Sequence, residues 1–446
     1  MYCKKTSFLI VGMKKSGLSV SKLLLEKGAK VYVYDDAKTS QSQENINEIV
    51  SLGGLSVIDA LKTLEIVDVV VLSPGVPVDN EIAVKARVLK KRIIGEIELA
   101  SYFITSPLVA VTGTNGKTTV CSMLSHLLTT ANQNNLLLGN VGTPLSSMVS
   151  EFTDDTIGVV EVSSFQLETV ARFTPHIACI LNVTPDHLDR HYNMENYLFL
   201  KRKLIMNLRE SEYAVLNYDD ENVKDSASKT RGKVIWFSKD NKVADCFVED
   251  GIIYYQGEVV LKVSDVSLEG VHNLSNILAV ICISRLLGIN CEQIKKGIMT
   301  FKGVKHRIQQ VEEIDGVTFY NDSKSTNPDS CIKAVETMTS PTILIIGGYD
   351  KGFNYDETFN LIKENGNVKQ VVITGNSANK MYNSAIKAGY DNVSVVRDFT
   401  LAIKVAKDLA KNGYSVLFSP ATSSFDLFSG YEERGDKFIE IVNSFK

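Results

Sequence analysis

Three α/β units in series, each built on a parallel sheet, make up the fold class that the sequence predicts. Three observations carry that expectation. A short apolar strand, a glycine-bounded turn and an amphipathic helix follow one another at Phe8–Val11, Gly12–Gly17 and Leu18–Lys27. The same order returns at Leu108–Val111, Thr112–Gly116 and Lys117–Ala131. From Val317 onward, apolar strands and helices alternate to the end of the chain. Strands alternating with helices through glycine turns build parallel βαβ units. The expected class is α/β in three domains. These are an N-terminal Rossmann-like domain over 1–105, a central P-loop-type parallel sheet with a small β hairpin over 106–304, and a C-terminal Rossmann-like domain over 305–446.

The elements justify themselves in order. In the first unit, Val31–Tyr34 is the second strand and ends at Asp35, and Asp68–Leu72 is the next, closed by Ser73-Pro74-Gly75. In the second, the apolar strands Ile157–Val162 and Ile177–Leu181 each run straight into polar residues. Helix Met194–Leu208 and strands Tyr213–Leu216 and Val234–Phe237 continue the pattern. A hairpin-like patch with Gly251 and Gly257 lies between Cys246 and Val263, followed by helices Asn273–Leu287 and Glu292–Thr300. The third unit has strands at Val317–Tyr320, Thr342–Ile346, Gln370–Ile373, Ser394–Val396 and Ser415–Phe418. Its helices lie near Asp329–Glu336, Tyr355–Glu364, Ser377–Lys387, Thr400–Lys411 and Tyr431–Ser444. At 446 residues, two or three domains are expected on length alone.

Composition narrows the function classes. A net charge of -4 and only short basic groups, such as Lys14–Lys15 and Lys90–Arg92, give no nucleic-acid footprint. The seven cysteines show no CxxC spacing, so neither a zinc site nor a redox pair is indicated, and the odd count suits a reducing compartment. Phe8–Val11 is too short for a signal-peptide core, and no run reaches the ~20 apolar residues that span a bilayer. A cytoplasmic protein is expected.

The segment Val111-Thr112-Gly113-Thr114-Asn115-Gly116-Lys117-Thr118-Thr119 follows a strand and opens a helix. In that setting backbone N–H groups and the helix N-terminus converge on a phosphate chain. Lys117 would reach the β- and γ-phosphates of a nucleoside triphosphate, and the Thr118 hydroxyl would hold Mg²⁺. Val111 stands where the usual pattern begins with glycine. The plainer alternative is a glycine-rich turn that only starts a helix.

Glu161 closes the apolar strand Gly158–Val160. Ligands of open α/β sheets gather at the carboxyl ends of strands, so this carboxylate would face the phosphates and supply a hard oxygen to Mg²⁺. A solvated glutamate at a helix start is the competing reading. His187 and His191 are four apart, yet no Glu follows His187 as in a zinc-protease helix, and Pro185 speaks against a helix there. His187 is placed near the metals and His191 at the surface. Lys201, on the helix Met194–Leu208, reads on its own as an ordinary surface lysine.

The runs Thr112–Thr119, Glu161–Leu167, Asn182–Arg190, Gly270–Asn276, His306–Arg307, Tyr320–Ser330 and Ser419–Phe438 together resemble the Mur ligases of peptidoglycan assembly over essentially the whole chain. Asn321-Asp-Ser-Lys-Ser-Thr-Asn-Pro328 is similar to the branch that adds D-glutamate, and no Asp-Asn-Pro-Arg run of the third-residue enzymes is present. The resemblance implies an ATP-dependent amide ligase that adds D-glutamate to UDP-N-acetylmuramoyl-L-alanine, working as a monomer. It implies that Gly113, Thr114, Asn115, Gly116, Lys117, Thr118 and Thr119 bind ATP, with Asn273 and Asn276 on the adenine side and Arg307 and Asp322 reaching the nucleotide. Two Mg²⁺ ions would be served by Thr118, Glu161, His187 and Lys201, the last carbamylated by CO₂. Lys117, His187 and Lys201 would be the catalytic set. The first unit would hold the UDP part through Ser16, Gly17, Asp35, Ser73, Pro74 and Gly75, with Asn140 and His187 along the muramoyl-alanine. Lys324, Thr326, Lys351, Ser424, Phe425 and Tyr431 would line the D-glutamate pocket, although Tyr431 replaces a frequent Phe.

The implied chemistry is attack of the L-alanine carboxylate on the γ-phosphate, then attack of the D-glutamate amine on the acyl phosphate, with the third unit closing over the second to exclude water. Three rivals compete: another Mur-type or folylpolyglutamate-type ligase, a P-loop NTPase switch, and a nucleotide-linked oxidoreductase. The last is opposed by Lys14, which stands where a dinucleotide fingerprint wants glycine.

Overall fold

The computed structural model describes residues 3–36, 39–266, 271–350 and 352–446. They carry three sheets and fall into two compact units. One comprises Met1–Ser267 and Val271–Phe301; the other holds Lys302–Lys446.

The first sheet has five parallel strands in the order Leu55–Ser56, Lys30–Tyr34, Ser7–Val11, Val69–Leu72, Arg92–Ile94. Chain order reverses between Ser7–Val11 and Val69–Leu72, so the turns after these two strands flank a switch-point crevice. Both faces are covered. Phe8, Ile10, Val31 and Val33 pack on one side, and Leu9, Val11, Val70 and Leu72 on the other. That is why these strands read as continuous apolar runs.

The second sheet has nine strands. Seven run parallel: Cys246–Glu249, Lys233–Ser238, Tyr213–Asn217, Ile177–Ile180, Leu108–Thr112, Ile157–Glu161 and Asn135–Gly139, in that order. Ile252–Tyr255 and Glu258–Lys262 extend the Cys246 edge as antiparallel hairpins. Leu108–Thr112 is fully buried between two neighbours, which fixes where the loop after it emerges.

Buried charge joins these two sheets. Glu98, wholly buried, accepts the backbone N–H groups of Ala171 (3.0 Å), Arg172 (2.9 Å) and Phe173 (2.8 Å). It also accepts from the Tyr102 hydroxyl and lies 3.7 Å from Arg92. Hydrogen bonds to a charged group contribute about 1.5–3 kcal/mol each, enough together to offset the desolvation of one carboxylate. Glu96 accepts the Ser146 N–H at 2.5 Å, and burial pushes its carboxyl pKa up.

The third sheet has six strands, in the order Gln309–Ile314, Val317–Asn321, Ser415–Phe418, Thr342–Gly347, Val368–Thr374, Val393–Val395. All pairs are parallel except the first. Among the described residues no helix is long and apolar enough to cross a membrane.

Several elements were not foreseen: the helices Ser40–Ser51 and Glu81–Val88, and the strands Arg92–Ile94, Asn135–Gly139 and Gln309–Ile314. Asn135-Leu-Leu-Leu-Gly139 lacks the β-branched signature of a strand. Gln309-Gln-Val-Glu-Glu-Ile314 is an edge strand, whose exposed side tolerates charge.

Candidate active site

The loop after Leu108–Thr112 turns on two glycines at positive φ, Gly113 at 155° and Gly116 at 86°. A Cβ on Gly116 would collide with Asn276 Oδ1, so this position has room only for glycine. Helix Lys117–Thr130 begins at once, and no side chain caps it. Lys117 Nζ folds back onto the carbonyls of Gly113 (2.8 Å) and Thr114 (2.9 Å), placing its charge inside the loop's curve. Thr118 and Thr119 are buried behind it. Asn182, at the end of the neighbouring strand, clasps Asn115 from both sides. Its Oδ1 accepts the Asn115 N–H at 2.8 Å, and its Nδ2 donates to the Asn115 carbonyl at 3.1 Å. Asn276 is buried on helix Val271–Leu286 and donates to Asn273 Oδ1 at 3.4 Å.

Glu161 is 1% exposed, so the reading of it as a solvated residue does not hold. Its Oε1 accepts Asn140 Nδ2 at 2.8 Å, while its Oε2 is buried with no hydrogen-bond partner among the described residues. A buried carboxylate oxygen without a partner is costly unless a cation completes it. Asn140 thus orients the acid rather than standing apart from it.

Lys201 is also 1% exposed, which overturns its reading as a surface lysine. Helix Met194–Met206 turns it inward under the loop, where Nζ donates to the Gly113 carbonyl at 2.8 Å and lies 4.5 Å from the Tyr197 ring centroid. Burial, and next the Lys117 charge sharing that carbonyl, hold its pKa well below the usual lysine value.

His187 sits in the left-handed region (φ 52°), half exposed, with its ring 4.9 Å from Phe165 and Nε2 3.5 Å from Asp186. A one-turn helix, Leu188–His191, starts there despite Pro185, because the left-handed His187 resets the chain direction. His191 is buried, not exposed as expected. Its Nε2 lies 3.0 Å from Ser164 Oγ, its Nδ1 lies 3.4 Å from Glu168, and its ring stacks on Tyr197.

At the first sheet's crevice, Asp35 accepts the Met13 N–H at 2.6 Å and Ser73 Oγ donates to the Gly12 carbonyl at 2.6 Å. Both side chains shape the turn that leads to Ser16 and Gly17, at the start of helix Lys15–Glu26. Pro74 and Gly75 continue the Ser73 turn.

In the other unit, the candidates cluster at the carboxyl ends of Val317–Asn321, Ser415–Phe418 and Thr342–Gly347. Asp322 is buried; it accepts the Ile308 N–H at 3.1 Å and Ser419 Oγ at 2.7 Å, bracing the segment that carries exposed Arg307. Lys324 Nζ lies 5.7 Å from the Tyr431 ring centroid, and the Phe425 ring meets Tyr349 edge-on at 6.4 Å. Thr326 is half-buried and Ser424 buried. Lys351 lies outside the described residues.

Burial pushes the Asp322 carboxyl up to about 7 from 3.8, opposed by the Ser419 hydrogen bond and Arg307. The folded state therefore binds a proton that the unfolded chain has lost, and stability falls as pH rises through that window. Asp322→Asn keeps a partner for both neighbours, so the variant is expected to lose this decline. Urea midpoints measured across the window check it.

Sequence reasoning passed over Asn182, Glu168, Arg190, Tyr197 and Arg434 as individual site residues. Arg434 is 2% exposed; its Nε donates to Ser323 Oγ (3.0 Å) and its two Nη atoms to the carbonyls of Ser423 and Ser323 (2.9 Å each). Burial lowers its pKa to about 10, opposed by the charges of Asp426 and Asp322. Its position on the stripe Arg434, Phe438, Ile441 was the available signal.

Comparison with known proteins bears on this arrangement. The MurD-like N-terminal domain of Mur ligases matches residues 6–95, the Mur ligase middle domain 111–284, and the Mur ligase glutamate ligase domain 306–422. The chain is 42% identical over 451 residues to the UDP-N-acetylmuramoylalanine–D-glutamate ligase of Thermoanaerobacter sp. (strain X514), covering 99% of each. It is 38% identical over 458 residues to that of Clostridioides difficile (strain 630), covering 100% of each. Among solved structures it is similar to UDP-N-acetylmuramate-alanine ligase MurC of Thermotoga maritima, with a TM-score of 0.61, 19% identity and coverage of 99% of this chain and 100% of that one. It is also similar to the MurF ligase of Thermotoga maritima in complex with ADP, with a TM-score of 0.60, 17% identity and coverage of 100% and 96%. At those identities the structural likeness is one of fold.

Proposed function

The chain belongs to the Mur ligase family, and from that premise we propose that it joins D-glutamate to UDP-N-acetylmuramoyl-L-alanine, with ATP as the source of activation. The full-length relatives of that name support the choice of substrates. The observation that carries the chemistry is the phosphate loop with Lys117 folded into it, beside a buried Glu161 that keeps one oxygen without a partner.

Residues 1–105 take the UDP part, 106–304 the ATP, and 305–446 the amino acid. Ser16, Gly17, Asp35 and Ser73–Gly75 face the UDP, and Asn140 and His187 the muramoyl-alanine. Residues 113–119, Asn273 and Asn276 hold the nucleotide, with Arg307 and Asp322 contributing from the third sheet. Lys324, Thr326, Lys351, Ser424, Phe425 and Tyr431 receive D-glutamate.

The orphaned Glu161 oxygen fits one Mg²⁺, and the proposal places a second ion beside it. Glu161 Oε2, the Thr118 hydroxyl and His187 are suitable donors, and Lys201 becomes one once carbamylated. When bound, such ions withdraw charge from the phosphoryl oxygens. For the carbamate, the neutral Lys201 amine adds CO₂ at Nζ; an N–C bond forms, a proton goes to solvent, and an anion results.

In the first half-reaction an oxygen of the L-alanine carboxylate bonds to the γ-phosphorus as ADP leaves. Lys117 lies where charge builds up on the transferring group. In the second, the D-glutamate amine attacks the acyl carbon, loses a proton, and phosphate departs with the former carboxylate oxygen. Lys324 and Lys351 hold the amino acid's carboxylates as compact point charges. We further propose that the enzyme works as a monomer in the cytoplasm.

Phosphate release measured with UDP-N-acetylmuramoyl-L-alanine, ATP and a panel of amino acids tests the reading. Release that requires D-glutamate is expected. Release that follows another amino acid, or none, rejects it.

A further inference from the structure

Segment 186–192 does more than carry His187. Arg190 Nε donates to Glu168 Oε1 at 3.0 Å, and its Nη2 donates to Glu168 Oε2 at 2.6 Å, a two-pronged pair. The same Nη2 donates to the Val76 carbonyl at 3.0 Å, on the turn that follows Ser73–Gly75. Tyr192 donates its hydroxyl to Asp79 on that turn as well. Two side chains of the central sheet's segment therefore hold a turn of the first sheet, 114 residues away in sequence for the Arg190 bond.

The hold continues inward. Glu168 lies 3.4 Å from His191 Nδ1, the His191 ring stacks on Tyr197 at 5.5 Å, and the Tyr197 hydroxyl lies 3.2 Å from Thr114 Oγ1 in the phosphate loop. Phe165 fills the angle, with its ring 5.5 Å from the Arg190 guanidinium and 4.9 Å from the His187 ring. A guanidinium paired to a carboxylate in this fork geometry is fixed in direction as well as in charge, which a lysine could not reproduce. Glu168 is 6% exposed and Arg190 18%, so solvent does little to loosen the pair.

We propose that Arg190, oriented by Glu168, is a positioning residue for the UDP-substrate. It fixes the turn 73–79 at a set distance from the His187 segment and the phosphate loop, so that the bound substrate's carboxylate meets the γ-phosphate. This rests on the assignment of Ser73–Gly75 to the UDP site. The Arg190 contact to a bare carbonyl gives no chemistry, so its effect is on where the substrate sits and not on how ATP binds.

The test uses the full-length enzyme with Arg190→Ala, Arg190→Lys, Glu168→Gln and the double variant Glu168→Gln/Arg190→Ala. In Arg190→Ala, the dissociation constant for UDP-N-acetylmuramoyl-L-alanine by calorimetry is expected to rise about tenfold, and kcat to fall about tenfold, since a misplacement of about 1 Å can cost up to about 10²-fold. Binding of a non-hydrolysable ATP analogue should stay within about twofold, because no contact of the loop is removed. Arg190→Lys should recover little, and the double variant should be no worse than Arg190→Ala, as expected for two residues acting as one unit. Equal weakening of both ligands, or full rescue by Arg190→Lys, would overturn the proposal and leave a merely structural ion pair. If Arg190→Ala does not fold, Glu168→Gln carries the same ligand comparison on its own. Failure of the wild-type enzyme to bind the UDP-substrate at all would instead refute the functional reading on which the proposal stands.

Discussion

Lys117→Ala is expected to reduce D-glutamate-dependent ADP release by roughly 10³-fold, at the upper end for removing one preorganised charge-stabilising group. Lys117 Nζ already lies in the loop's concavity, 2.8 and 2.9 Å from two of its carbonyls. In the proposed site an arriving triphosphate would exchange those neutral acceptors for anionic ones. The first half-reaction brings a carboxylate against a phosphoryl group that is itself anionic. Even at an effective dielectric of about 20, two like charges at 4 Å repel by about 4 kcal/mol, so a cation at that place decides the rate. A coupled assay for ADP, with the variant's melting temperature as control, reads the effect. Near-normal turnover would remove Lys117 from the site.

Lys201→Ala is expected to lose activity by about 10- to 100-fold, as for a group that supports a metal cluster, and to regain part of it when short carboxylic acids are added. The physical ground is the crowding of two lysines on one carbonyl. Lys117 and Lys201 both donate to Gly113, each at 2.8 Å, and their repulsion is one reason why the Lys201 amine is held well below its usual pKa. Carbamylation, as proposed, would turn that repulsion into attraction, and the cavity left by truncation would admit a small carboxylate in place of the lost anion. Activity restored by acetate in Lys201→Ala, with no gain in the wild type, is the expected result. Full activity without additive would exclude the carbamate.

Much of this site could be read from the amino acids. The loop was legible because backbone geometry there favours residue type; Gly116 stands at positive φ against Asn276, and the helix that follows begins with a lysine that curls back. Glu161 was legible because it ends an apolar strand that could only be central. Lys201 was not. Its helix Met194–Met206 is weakly amphipathic by pattern, carries polar residues around much of its circumference, and buries a lysine only because the phosphate loop offers a carbonyl underneath it. His191 failed for a related reason, since its burial depends on Ser164, Glu168 and Tyr197, partners 6 to 27 residues away that periodicity cannot see. The fold behaved alike. Buried parallel strands announced themselves, whereas the edge strand Gln309–Ile314 and the leucine-rich Asn135–Gly139 depended on neighbours for their conformation.

Gly348 ties the main chain of one loop to a side chain of helix Tyr431–Asn443. Its φ of 151° and the nearness of the Ser423 carbonyl and of Arg434 Nη1 (2.9 Å from a would-be Cβ) leave no room for a larger residue. Arg434 in turn cannot be shortened without stranding the two serine carbonyls that it serves. A side chain at position 348 would therefore have to displace either the Ser423 main chain or the Arg434 guanidinium, so glycine, arginine and the two serine carbonyls can only vary together.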